Sequence, residues 1–248
     1  MSGHSKWATI KRKKAATDQA RGKVFSKYIK EITLAARAGP DPNINPRLRS
    51  AISAAKSVNM PANNIDRAIQ RGAGLEEGVH FEETQYEGYG PGGVALLVEV
   101  ATDNRNRTAG EIRHTFTKHG AALAEAGSVS YLFKPRGVII VDKAALGEEA
   151  LMEIVLEAGA DDVSSEGDTY EILTPPAQLE AVKEALAAKS VPTQSAELTK
   201  LASLLVPVTE KVAESLLKLV DTLEDHDDVQ KVYANFSMSD ELMAKLSR

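Results

Sequence analysis

Apolar residues in the first seventy positions recur every three or four residues, a spacing that predicts helices. Phe25, Ile29, Ile32 and Ala36 fall on one stripe with Tyr28 beside it. Thr17 or Asp18 can cap this helix, and Gly39-Pro40 stops it. Asn45-Pro46 opens a second helix, with a capping side chain and a proline in the first turn. Leu48, Ile52 and Ala55 form its buried side, and Met60-Pro61 breaks it. A third helix runs from Ala62 to Arg71, with Ile65, Ala68 and Ile69 inward and Arg67 and Arg71 outward. The three make a small bundle, followed by an acidic linker around Glu76 to Glu83.

From Thr84 onward the period changes. Val94 to Val100 is a continuous apolar run and predicts a buried strand. A helix capped by Asn104 or Asn106 follows to about Lys118, and Ser128 to Phe133 is the next expected strand. Then come a strand at Val138–Val141, a helix at Glu148–Ala158, strands at Asp162–Ser165 and Asp168–Leu173, a helix at Pro176–Ala188 and a strand at Ser195–Leu201. That order is βαββαβ, the ferredoxin-like unit. A long helix, Thr209–Glu224, and a strand, Val229–Phe236, then complete the unit begun at Thr84, whose own strands are too few to cover a sheet. The expected fold class is α+β: an N-terminal three-helix bundle (1–78), a ferredoxin-like domain split between 79–135 and 205–248, and a second ferredoxin-like domain (136–204) inserted into it.

Charge divides the chain along the same lines. Residues 1–75 hold 15 Lys and Arg against 4 acids, and residues 76–248 hold 15 against 31, so a net charge of −5 conceals a strongly basic leading segment. Residues 1–30 carry nine Lys and Arg against Asp18 alone. Such asymmetry points to a polyanionic partner. Lys23, Lys27 and Lys30 lie four and three residues apart and form one cationic stripe. The candidate nucleic-acid contacts are Lys6, Lys11, Arg12, Lys13, Lys14, Arg21, Lys23, Lys27 and Lys30, extended by Arg47 and Arg49. The competing reading is a solubilising arm that docks on the protein's own acidic domains. Trp7, the only tryptophan, either stacks on an exposed base or anchors the arm on the bundle.

The absence of cysteine excludes disulfides, thiolate nucleophiles and zinc–thiolate sites, and fits a reducing compartment. No stretch approaches the length of a membrane span, and no secretory or myristoylation signal is evident. The basic, acid-poor start also has the character of a mitochondrial presequence, although it runs directly into an amphipathic helix.

Gly88-Tyr89-Gly90-Pro91-Gly92-Gly93 spells G-x-G-x-x-G, but a strand follows where dinucleotide binding needs a helix, so it is a turn between strands. Asp103 to Thr108 combines Arg105 and Arg107 with helix-capping residues, which suits either a phosphate or an internal ion pair. Glu111 and His114 share a helix face without an evident third metal ligand, and Glu224 to Asp228 reads as a solvated turn after the long helix. No nucleophile-plus-base spacing appears. The chain is expected not to be an enzyme, with no catalytic residue, metal or cofactor.

Several motifs resemble the YebC/PmpR family: Gly3-His4-Ser5-Lys6-Trp7, the basic run Lys11–Lys14, Gly39-Pro40-Asp41-Pro42 with Asn45-Pro46-Arg47-Leu48-Arg49, and Asn59-Met60-Pro61. The likeness continues through Tyr86 to Gly93, Thr102 to Thr108, Leu223-Glu224-Asp225 and Asp227 to Gln230. Tyr131-Leu132 stands where the family often has Trp-Met, and Leu205-Val206-Pro207-Val208 replaces a more polar lead-in to the last helix. The resemblance implies three domains, the third inserted in the second, and a cytoplasmic DNA-binding transcriptional regulator. Mitochondrial relatives are described as translational activators of cytochrome oxidase, which implies ribosomal RNA or the ribosome as the alternative partner. A third reading is an adaptor whose arm binds an acidic protein. Helices two and three offer few base-reading side chains, which disfavours reading of an operator by a recognition helix. No membrane partner is expected, and the oligomeric state is open.

Overall fold

The computed structural model describes residues 18–246. The helices are α1 (Asp18–Ala36), α2 (Pro46–Ser57), α3 (Ala62–Gly72), α4 (Arg105–Lys118), α5 (Glu148–Glu157), α6 (Leu179–Ala188), α7 (Glu210–Glu224) and α8 (Asp240–Leu246). The strands are β1 (Glu82–Tyr89), β2 (Ala95–Thr102), β3 (Ala122–Ala124), β4 (Phe133–Asp142), β5 (Asp162–Glu166), β6 (Thr169–Thr174), β7 (Thr193–Ala202), β8 (Val206–Pro207), β9 (Val229–Ala234) and β10 (Phe236–Ser237). Phe133–Leu201 form one compact unit, and the chain on either side of them forms the other.

The first unit begins with the helical bundle. Ile32, Ala35, Leu48, Ala55, Ile65 and Ala68 make its core, with Phe25, Tyr28 and Ile29 packed against it. Asn45 ties α1 to α2. Its Oδ1 accepts from the Leu48 amide at 3.1 Å, and its side-chain amide donates to the Ala35 and Gly39 carbonyls at 2.8 Å each. One buried side chain thereby caps a helix start and satisfies carbonyls at the preceding helix end.

The same unit holds a four-stranded sheet ordered β3-β1-β2-β9. β1 pairs antiparallel with β2, in register from Glu82↔Thr102 to Tyr89↔Ala95, and with β3. β2 pairs antiparallel with β9. Helices α4 and α7 cover one face: Ile112, Phe116, Leu216, Leu219, Val220 and Leu223 pack on Leu96, Val98 and Val232. The Gly-rich segment closes the β1–β2 hairpin, as its flanking strands require. The Gly90 amide donates to the Val94 carbonyl at 2.8 Å, and Gly92 sits at φ +75°, a left-handed conformation open to glycine. A Cβ on Gly88 would lie 2.5 Å from the Ala122 carbonyl oxygen and 2.6 Å from Phe116, so β3 and α4 close on β1 only because glycine is there.

The second unit has the sheet order β5-β6-β4-β7, with α5 and α6 between its strands in sequence. That is the ferredoxin-like arrangement expected of it. Ile139, Val141 and Ile172 of the sheet pack against Leu151, Val155, Val182 and Leu186 of the helices.

The molecule is α+β with antiparallel sheets, and three details differ from the sequence expectation. The first sheet does not have the ferredoxin-like order: its two central strands are consecutive, because a tight glycine turn keeps β1 beside β2. Strand β1 covers Glu82 and Glu83, where an acidic linker was expected. Ser128–Leu132 is not a strand, and Phe133 opens β4. Amides of Gly127, Val129 and Ser130 donate to the buried Glu87 carboxylate at 2.7–2.8 Å and so cannot serve a strand ladder; the third strand is Ala122–Ala124. Burial pushes the Glu87 carboxyl up, but these three donors more than reverse that and hold it below the ordinary glutamate value.

Candidate nucleic-acid interface

The cationic stripe of α1 turns toward the protein itself. Lys23 Nζ donates to the Asp225 carbonyl at 3.1 Å, and Lys27 Nζ to the Glu224 carbonyl at 2.5 Å. Lys30 Nζ reaches Asp228 Oδ1 at 2.7 Å, the Asp227 carbonyl at 2.9 Å and the Ala101 carbonyl at 3.3 Å, and lies 5.4 Å from the centre of the Phe81 ring. Three lysines at helical spacing thus meet the C-terminal end of α7. Carbonyls there lack helical partners, and the helix dipole favours positive charge.

Asp228 is the centre of this contact. It is 4% exposed. Oδ1 takes Lys30; Oδ2 accepts from Arg107 Nη2 at 2.8 Å, Thr108 Oγ1 at 2.7 Å and Thr102 Oγ1 at 3.2 Å. Burial pushes the carboxyl up, but the bonds from Lys30, Arg107 and Thr108 overcome this and hold it well below the ordinary aspartate value. Arg107 is in turn raised by Asp228 and then by Asp103, which it meets at 2.8 Å. Asn104 caps α4 and presents Arg107 at this point. Of the two readings for Asp103–Thr108, Arg107 therefore fits the internal ion pair.

The turn at Glu224 to Asp228 is solvated at Asp225 and Asp227 but buried at Asp228, which corrects the sequence reading. Glu111 does not pair with His114. Its Oε2 lies 2.9 Å from His226 Nε2, while His226 Nδ1 accepts the Asp228 amide at 3.1 Å. Ligand atoms of Glu111, His226 and Asp228 lie within 4.8 Å of one another. A metal ion there would face Lys30 and Arg107 already bonded to Asp228, so the cluster is a completed ion-pair network.

Arginines of the bundle are also engaged. Arg47 forks onto both oxygens of Glu31 at 2.9 and 3.1 Å and onto both oxygens of Glu83. The Glu83 bond raises its pKa most, against partial burial, and Arg47 in turn lowers that of Glu83. Arg49 donates to the Pro42 and Asn43 carbonyls at 3.1 and 3.2 Å. Arg67 and Arg71 lie 3.4 and 3.3 Å from Glu76.

Of the candidate contacts, Lys23, Lys27, Lys30, Arg47 and Arg49 are therefore bonded within the molecule. Lys6, Trp7, Lys11, Arg12, Lys13 and Lys14 lie outside the described residues, and of Arg21 only the backbone, within α1, is described. Sequence reasoning missed the role of Asp228. The signal was faint: an acid immediately before an apolar strand, with Thr102 and Thr108 far away in sequence. It also missed the outer face of α4, where Arg113, His114 and Lys118 are exposed. On a helical wheel Arg113 and His114 flank the outward face, while Lys118 lies at its edge beside Glu111.

Fold and site together define an α+β protein with a basic helical N-terminal region locked to an acidic sheet domain. Residues 5–75 match the model of the TACO1/YebC protein N-terminal domain, and residues 81–236 match that of the TACO1/YebC second and third domain. A relative from Acidobacterium capsulatum is 56% identical over 238 residues, covering 96% of this chain and 97% of its own. One from Geobacter sulfurreducens is 57% identical over 247 residues, covering 99% and 100%. Both are named probable transcriptional regulatory proteins. The crystal structure of a conserved hypothetical protein from Aquifex aeolicus superposes with a TM-score of 0.80 at 49% identity, over 90% of this chain and 93% of that one. The chain belongs to the TACO1/YebC family.

Proposed function

We propose that the chain is a cytoplasmic regulator of gene expression that binds nucleic acid through its basic N-terminal region, as a DNA-binding transcriptional regulator. The observation that carries this is the run of nine Lys and Arg against one acid in residues 1–30, in a family with relatives named probable transcriptional regulatory proteins. Among the grip residues, Lys6, Lys11, Arg12, Lys13, Lys14 and Arg21 neutralise phosphates and release counterions, and Trp7 stacks or anchors. Lys23, Lys27 and Lys30 position the arm by fixing α1 to α7. The chemistry needs no catalytic group, since affinity comes from charge.

A second reading, a translation factor on ribosomal RNA, draws support from the bundle. Arg47, Arg49, Arg67 and Arg71 are occupied internally, so α2 and α3 present little for reading base edges. Binding through phosphates without base readout suits a structured RNA as well as DNA.

Reversing Lys11, Arg12, Lys13 and Lys14 to Glu abolishes binding in a sedimentation assay against DNA, structured RNA and ribosomes, and leaves the melting temperature unchanged. Retained binding by that variant contradicts the assigned surface. Promoter fragments enriched from crosslinked cells favour transcription, and ribosomal particles that survive moderate salt favour translation.

A further inference from the structure

We infer that the outer face of α4 is a second contact for the phosphodiester backbone of a nucleic acid. This deepens the function proposed above and rests on it. Of the fifteen Lys and Arg beyond residue 75, four lie in this fourteen-residue helix, where Glu111 is the only acid. Glu111 is held by His226 at 2.9 Å, and Arg107 by Asp228. Arg105 lies 3.9 Å from Glu82, an exposed and weak pair. Arg113, His114 and Lys118 have no ion pair among the described residues and project to solvent. In a segment so rich in acids, three cationic or basic side chains that no carboxylate pairs with among the described residues, beside a Glu111 turned to His226, form a surface that attracts a polyanion.

Gly110 is the second, independent observation. At 100° per residue it falls between Arg113 and His114 on the outward face, flanked by Asn106 and Thr117. Nothing in the fold requires glycine there: an added Cβ would meet no atom within 4 Å, and the backbone is ordinary helix. Glycine in an exposed helix interior weakens the helix. What it provides is a smooth patch amid the cations, on which a sugar-phosphate chain can lie against the helix backbone. Asn106 adds a side-chain amide donor for phosphate oxygens. The helix is about 20 Å long, enough for roughly three phosphates along one strand.

The test uses the full-length protein with fluorescent duplexes of about 20 base pairs, one DNA and one RNA of the same sequence, titrated at several salt concentrations. The R113E/K118E variant loses about tenfold in affinity on the duplex that is the true ligand class, and its log K against log salt slope becomes shallower by about 2. Gly110→Leu, which changes no charge, weakens binding, whereas Gly110→Ala raises the melting temperature and keeps most of the affinity. K211E/K218E, on the exposed side of α7, changes little. Wild-type-like affinity and slope for R113E/K118E, or an equal loss in K211E/K218E, overturns the α4 contact. If in addition reversal of Lys11–Lys14 abolishes binding, the N-terminal grip stands without it. A wild-type protein that binds neither duplex overturns both.

Discussion

Helices α1 and α4 both carry cations at helical spacing, yet their charges go to opposite destinations. On α1, Lys23, Lys27 and Lys30 are drawn to the end of α7, where unpaired carbonyls and the Asp228 carboxylate wait. On α4, Arg107 joins the same carboxylate from the other side, while Arg113 and Lys118, nearly two and three turns further along, pair with no acid among the described residues. The difference lies in the neighbour and not in the helix. A cation count predicts a surface only where no carboxylate or helix C-terminus lies within reach. Asp228 thus splits the positive charge of this unit into a structural share and a free share.

Removing the hub is the strongest way to break this comparison. Asp228→Ala leaves the largely buried Lys30 ammonium without its carboxylate and removes the acceptor shared by Arg107, Thr102 and Thr108, and is expected to cost about 3 kcal/mol in urea unfolding. A loss below about 1 kcal/mol would mean that the network contributes little. Removing one cation is milder: Lys30→Met keeps Arg107 on Asp228 and is expected to cost about 2 kcal/mol.

Acid provides a third probe. The Asp228 carboxyl titrates lower when folded than its unfolded value of 3.8. Its stabilisation is therefore complete above that value and is lost as pH falls below it. The acid limb of stability against pH is expected to be steeper in the wild type than in Asp228→Asn, and equal limbs would contradict the assignment. At the small end, Lys23→Ala removes one exposed bond to a helix terminus and is expected to cost about 0.5 kcal/mol. Arg113→Ala with Lys118→Ala is expected to change stability by less than about 0.5 kcal/mol, because both side chains are exposed and neither has an ion pair among the described residues.

The helices of the bundle were legible because their apolar spacing, caps and glycine or proline stops agree with one another: Asn45 caps α2, and Leu48, Ala55, Ile65 and Ala68 are inward. The βαββαβ unit was legible for the same reason. Strand β1 was not, because Glu82-Glu83-Thr84-Gln85 is polar on both faces and becomes a strand only through pairing with the apolar β2. The loop at Gly127–Ser130 was misread as strand because its amides answer to Glu87, forty residues away. The site was legible as a charge total and illegible as a geometry: Lys30 and Asp228 stand 198 residues apart, and no local pattern announces their contact. The family motifs named the right neighbourhoods, including Thr102 to Thr108 and Asp227 to Gln230, without saying that they meet.

The most direct measurement is the salt dependence of duplex binding by the intact protein, before and after Lys11, Arg12, Lys13 and Lys14 are reversed to Glu. With about six phosphate contacts, the wild type should show a log–log slope of about −5, and the reversed variant should not bind at moderate salt, any residual affinity at low salt having lost about 3 to 4 of that slope. A wild-type affinity indifferent to salt, or a slope unmoved by the reversal, would contradict the claim that the N-terminal cations hold the nucleic acid.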